Sequence, residues 1–226
     1  LIPDADETQV TADCLQVTTD RGVHNAQVTI SPNNPTGQIY DKASLDALGK
    51  LLEQKSSQFG HIIYLVSDEP YRKIVFDDAR VPSIFRSYAQ SILATSYSKD
   101  ISIPGERIGF AAVNPGATYK TELMAGMTLT NRILGFVNAP ALMQRVMASI
   151  QGASVDISVY ARKRELLCKG LEDCGYDFLR PPGAFYLFPK SPIPDDIEFI
   201  NRLKEELILA VPGVGFGAPG YFRLSY

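Results

Sequence analysis

Lys99 stands in the segment 96–109, SYSKDISIPGERIG, directly after an apolar run, SILAT, that reads as a buried strand. An amine carried off the end of a buried strand, with the small hydroxyl residues Ser96 and Ser98 close beside it, is placed for chemistry. Arg107 follows after a turn marked by Pro104 and Gly105. A second cation near a lysine favours the neutral amine, and neutral amines attack carbonyls. A guanidinium that instead binds a phosphate makes, with the lysine, a pair suited to a cofactor carrying an aldehyde at one end and a phosphate at the other: pyridoxal 5'-phosphate (PLP).

Asp68 ends the apolar run HIIYLVS (61–67), at the carboxyl edge where open α/β sheets present their ligands. Such a cofactor's pyridine nitrogen must stay protonated if the ring is to accept electrons released from Cα, and a buried carboxylate beside it raises the nitrogen's pKa. Asn34, Asp68 and Lys99 each follow a predicted strand (26–30, 61–67 and 91–95), so three strand ends converge. The elements that must hold them read as an α/β pattern. A helix capped by Asp41, with Leu45, Leu48, Leu51 and Leu52 on one face, separates the first two strands and implies parallel pairing. A fourth strand is expected over 108–113. Three helices follow, over 119–129, 140–150 and 154–174, the last long and rich in charge. Beyond Gly175 the pattern predicts a short strand over 184–188, and a helix over 195–209 with Ile197, Ile200, Leu203 and Leu207 inward. A Gly-rich turn and a final strand over 221–226 complete it. Ahead of all these, Val10, Cys14 and Leu15 are spaced like a short helix face.

In chain order the motifs NNPTG, SDEPY, SYSKDISIPGERIG, PPGAFYLF and YFRLSY resemble those of the class I/II aminotransferases, PLP enzymes of fold type I. Singly, each has an ordinary reading: a solvated lysine, a good turn, a capping aspartate, an arginine on an edge strand. Their joint order carries the resemblance. It implies a three-layer α/β/α fold: the second part of a PLP-binding large domain with a mostly parallel sheet (1–153), then a connecting helix and a partial α+β small domain (154–226). It makes Lys99 the Schiff-base lysine and general base, Asp68 the partner of the pyridine nitrogen, and Tyr71 and Asn34 donors to the cofactor's phenolic oxygen. Ser96 and Arg107 match positions that hold the phosphate, and Arg223 matches the arginine that grips the substrate's α-carboxylate. The implied reaction moves an amino group between an L-amino acid and a 2-oxo acid, in a homodimer. Carbon–sulfur lyases and cyclopropane-forming synthases share these motifs, and a cofactor-binding fragment without turnover is a third reading. The family's small-residue phosphate loop and ring-stacking aromatic have no counterpart before Asn34, and its last helix is absent after Arg223; a truncated chain is the expectation.

Composition narrows the field further. A net charge of -3 over 226 residues gives no basic field for nucleic acid or an anionic membrane. No apolar run is long enough to span a bilayer, and the start LIPDADETQ lacks the marks of a signal peptide, so a cytoplasmic chain is expected. Cys14, Cys168 and Cys174 lack zinc-like spacing, and with His24 and His61 they supply a metal site poorly; reduced thiols and no metal are the expectation. GVGFGAPG (213–220) lacks the flanking strand and helix of a dinucleotide loop and reads as a plain turn.

Overall fold

The computed structural model describes residues 26–226. The expected helix face at Val10, Cys14 and Leu15 lies outside them, as do Cys14 and His24. Four strands form the first sheet, in the order β1 (Ala26–Ile30), β2 (Tyr64–Asp68), β3 (Ser91–Ser96) and β4 (Gly109–Val113). The first three are parallel and β4 runs antiparallel to β3. Ile30 pairs with Asp68, Asp68 with Ala94, and Ser96 with Gly109, so three carboxyl ends and the start of β4 share one edge.

Helix α1 (Lys42–Phe59) makes the parallel crossover. The Asp41 carboxylate accepts from the Ser44 N–H at 2.7 Å, and Gly60 closes the helix in the left-handed region that glycine tolerates (φ 71°). Its leucines 45, 48 and 52 pack on Ile63, Leu65, Ile84 and Tyr88, an apolar stripe laid on one sheet face. Leu51 is only partly buried. The second strand starts three residues later than its apolar run, because the N–H groups of His61 and Ile63 are spent on Ser56 at the end of α1 (3.2 and 3.0 Å).

After β3 comes a single turn of helix, α2 (Tyr97–Asp100), then α3 (Lys120–Ile133), α4 (Ala141–Ile150) and α5 (Ile157–Asp173). The second sheet is antiparallel and orders β5 (Tyr186–Leu187), β7 (Phe222–Ser225) and β6 (Val211–Pro212), with α6 (Asp196–Glu205) packed on it through Phe199, Ile200 and Phe222. Only Tyr186 and Leu187 pair where a strand over 184–188 is expected, since the Ala184 N–H is given to the Ile74 carbonyl (2.9 Å).

Two inward assignments are corrected. Ile197 is 52% exposed and Leu207 91% exposed. The buried face of α6 is set by Asp196, whose carboxylate accepts from the Val214 N–H at 2.8 Å; that rotation brings Phe199 and Ile200 inward and turns Ile197 out. The helix ends before Leu207, which takes a left-handed backbone (φ 61°).

Candidate active site

The segment after β1 folds back as a turn in which the Asn33 side chain accepts from the Thr36 N–H (3.2 Å) and hydroxyl (2.9 Å). Gly37 ends it at φ 69°, where a Cβ would meet the Pro181 ring and the Gly183 carbonyl, so the NNPTG turn sits tightly against the PPGAF segment. This turn delivers Asn34 to Arg223: the guanidinium donates to Asn34 Oδ1 at 2.7 Å across 189 positions of sequence. The guanidinium carbon also lies 4.6 Å from the Tyr186 ring centroid and 4.8 Å from that of Phe216. β7 is the central strand of its sheet, so Arg223 is no edge residue. Its Nε is buried and has no partner among the described residues.

Asp68 closes β2. Burial pushes its carboxyl above the ordinary value, and it has no hydrogen bond or ion pair among the described residues. The neighbouring side chains are spoken for. Glu69, fully buried, accepts from the Ser67 hydroxyl (2.9 Å) and pairs with Arg72, whose second Nη donates to the Val81 carbonyl (2.9 Å). Thr95 Oγ1 donates to the Glu69 carbonyl (3.0 Å), binding the ends of β2 and β3. A half-buried carboxylate without a partner gains stability from a cation brought to it or from taking up a proton.

Tyr71 lies three residues beyond, buried, with its hydroxyl 2.7 Å from that of Tyr186. Burial chiefly, and then that hydrogen bond, raise its phenol well above the ordinary value; Asp68 adds to the rise and Arg223 opposes it. Lys99 Nζ stands 6.0 Å from the Tyr71 ring centroid and 5.7 Å from that of Phe185, partly buried and without an ion pair among the described residues. Its helix is fastened through the next residue. Asp100 pairs with Lys73 (3.3 Å), Lys73 also donates to the Gln151 and Ala153 carbonyls (3.0 Å each), and the Val155 N–H donates to the Asp100 carbonyl (2.7 Å).

Asn34, Asp68, Tyr71, Lys99 and Arg223 are thus brought to one edge. Ser96 caps α2, its hydroxyl accepting from the Ser98 N–H at 3.4 Å, and opens toward the same edge by register. Arg107, two residues before the Gly109 that pairs with Ser96, is exposed and in the left-handed region (φ 49°), and its guanidinium donates to the Pro104 carbonyl at 3.2 Å. Nothing in the local sequence marks Tyr186, Phe185, Phe216 or the Lys73–Asp100 pair as part of this edge. Tyr186 lies within PPGAFYLF, but its role depends on which strand it pairs with. Among the described residues no group of three His, Cys, Asp or Glu could hold a metal ion, and no helix is long and apolar enough to cross a membrane.

Residues 3–226 match the family model for aminotransferase class I and II. A probable aspartate aminotransferase of Methanocaldococcus jannaschii is 33% identical over 204 residues, 87% of this chain and 52% of that protein. The aspartate/prephenate aminotransferase of Thermus thermophilus is 34% identical over 208 residues, 89% of this chain and 51% of its own. Among solved structures, an aminotransferase from Eubacterium rectale superposes with a TM-score of 0.87 at 42% identity, covering 90% of this chain and 51% of the other. The Thermus thermophilus aspartate aminotransferase with maleate gives 0.74 at 29% identity, over 98% of this chain and 56% of that one. The chain spans about half the length of the relatives it matches. A match running from residue 3 to the last residue, together with the superposed sheets, leaves one conclusion about ancestry: the chain belongs to the class I and II aminotransferases.

Proposed function

We propose that this chain carries the cofactor and carboxylate contacts of a PLP-dependent aminotransferase that acts on an L-amino acid and a 2-oxo acid. The donor set suits the cofactor. Asp68 is an anion without a cation, Arg223 Nε is a buried donor without an acceptor, and Lys99 is an amine without a counter-ion among the described residues. The observation that carries the reading is the Arg223–Asn34 bond, which brings the carboxylate-binding arginine to the turn expected to touch the cofactor. In this reading residues 1–153 form the second part of the large domain, and 154–226 the connecting helix and small domain. The active assembly is a homodimer.

When bound, PLP supplies an electron sink for the pair left at Cα when its proton departs. Asp68 would hold a proton at the pyridine nitrogen and so keep the ring electron-poor. Tyr71 and Asn34 would donate to its phenolic oxygen, and Ser96 and Arg107 would hold its phosphate, Arg107 by exchanging the Pro104 carbonyl for it. Lys99 would hold the aldehyde end. Arg223 would grip the substrate α-carboxylate through two N–H bonds and so fix the orientation of Cα, leaving its proton as the labile group. Lys99 would be the general base that takes the proton from the substrate Cα and holds it on its amine. The buried aromatic wall of Tyr71 and Tyr186, with Phe185 against it, keeps water from that exchange.

The test is spectroscopic and chemical. With PLP added, wild type shows the visible absorption of protein-bound cofactor, and borohydride fixes the cofactor's mass on the peptide containing Lys99; Lys99→Ala shows neither. Identical spectra for the two proteins overturn the reading. Oxo-acid-dependent consumption of the amino acid marks transamination, whereas pyruvate and ammonia from a cysteine conjugate mark elimination. Cofactor uptake with neither product assigns the chain to cofactor binding alone.

A further inference from the structure

Tyr186 touches two of the groups expected to hold ligand, through different parts of one side chain. It pairs with Ser225 in the β5–β7 ladder, which makes it the diagonal neighbour of Arg223 on the same sheet face. Its ring face lies against the Arg223 guanidinium at 4.6 Å, and its hydroxyl reaches across to the Tyr71 hydroxyl at 2.7 Å. Tyr71 and Tyr186 meet edge to face (80°) at 5.5 Å, and both are buried. We propose that Tyr186 is a positioning residue that couples the carboxylate grip to the cofactor's phenolic oxygen, its ring carrying Arg223 and its hydroxyl directing the proton of Tyr71.

The bookkeeping of the two hydroxyls supports this. Each has one proton and can also accept, and among the described residues neither has another partner. One proton fills the shared bond, and the second sits on whichever oxygen accepts. When an acceptor oxygen is presented to Tyr71, the stable arrangement has Tyr186 donating to Tyr71 and Tyr71 donating onward, a chain in which each bond strengthens the next. The charged groups around Tyr71 are Asp68 on its own segment, Lys99 above its ring and Arg223 from β7. None of them takes the place of the Tyr186 proton, because no hydrogen bond joins them to the Tyr71 hydroxyl among the described residues. The ring has a separate task. Phe216 lies on the guanidinium as well (4.8 Å), so the two rings fix the direction from which Arg223 offers its N–H groups.

This inference rests on the proposed PLP reading, and two variants separate the halves of the side chain. Tyr186→Phe keeps the ring and removes the hydroxyl; Tyr186→Leu removes both. Without PLP, proton NMR of wild type shows a slowly exchanging tyrosine hydroxyl resonance that Tyr71→Phe and Tyr186→Phe each abolish. With PLP, the pH at which the bound cofactor's absorbance changes rises in Tyr186→Phe by about one unit, the size of one net hydrogen bond. Affinity for a 2-oxo acid, read by calorimetry, is unchanged in Tyr186→Phe and about tenfold weaker in Tyr186→Leu. A residue with a merely structural task moves both readouts together. An unaltered hydroxyl resonance and cofactor titration in Tyr186→Phe, or equal oxo-acid affinity in all three proteins, overturns the proposal. If wild type takes up no PLP, the parent reading fails by its own spectrum, while the resonance still decides the Tyr186–Tyr71 link.

Discussion

Helices α1 and α3 both follow strands of the same sheet and both carry an apolar stripe, yet they end in opposite circumstances. Of the 18 residues of α1, Leu45, Leu48, Gly49 and Leu52 are buried; of the 14 in α3, none is. The exposure continues around that end of the molecule. Phe110 on β4, Leu129 and Ile133 on α3, Phe136 beyond it and Leu142 on α4 all face outward, Ile133 at 72%. Around α1 and the active edge, by contrast, distant segments are fastened together: Lys73 to 151 and 153, Tyr71 to Tyr186, Asn34 to Arg223, Arg164 to Asp77. An apolar period says that a face is meant to be covered, not what covers it.

The sharpest way to break this contrast is to remove one leucine from each helix. Leu52→Ala, at a fully buried position, is expected to destabilise the fold by about 2–5 kcal/mol in urea unfolding, through lost burial and the cavity left behind. Leu129→Ala, at a side chain 58% exposed, should stay within about 0.5 kcal/mol. Comparable losses from both would mean that α3 is covered in solution, and ultracentrifugation of the two variants would show whether self-association covers it.

The same contrast explains which parts were legible in the sequence. The α1 crossover, the parallel pairing of the first two strands and the strand-end places of Asn34, Asp68 and Lys99 follow from patterns a few residues long, while the mostly parallel sheet rests on the family resemblance. Strand limits did not follow, because His61 and Ile63 spend their N–H groups on Ser56 and Ala184 spends its own on Ile74, partners that only the folded chain reveals. The turn of α6 escaped for a similar reason: a buried Asp196, bonded to the Val214 N–H, overrode the apolar period that put Ile197 and Leu207 inside. Tyr186 is the clearest case. Its motif was visible, but its contacts with residues 71 and 223 arise from a two-residue ladder with β7.

Within the well-fastened half, Asp68 is the exception, and it offers a smaller but sharper test. Its carboxyl is raised by burial, so the folded chain binds that proton more tightly than the unfolded chain does. The penalty is therefore full at neutral pH and is relieved as the pH falls through the raised value. Asp68→Asn should raise the stability of the cofactor-free chain at pH 7, by an amount that solvent at the half-exposed carboxyl keeps small, while abolishing retention of PLP. A loss of stability on that substitution would show that Asp68 has a cationic partner already, and would put it among the fastenings.

The smallest effect expected concerns the fastening of α5. Arg164 is buried, lies over the Phe76 ring at 4.5 Å and donates to both Asp77 oxygens (2.7 and 2.8 Å) and to the Pro181 carbonyl (3.1 Å). The hydrogen bond from Arg164 holds the Asp77 carboxyl below its ordinary value. A depressed carboxylate contributes stability that is present above the unfolded value of 3.8 and is lost as the pH falls through the folded one. Asp77 keeps 65% of its side chain in water, so screening reduces the contribution, and Asp77→Asn should cost less than about 1 kcal/mol at pH 7. Thermal unfolding of wild type and Asp77→Asn followed downward in pH should show the two Tm curves converging below pH 3.8. Curves that stay parallel would assign the attachment of α5 to the stacking on Phe76 and the bond to Pro181, and the ion pair would drop out of the contrast between the fastened and the open ends of the molecule.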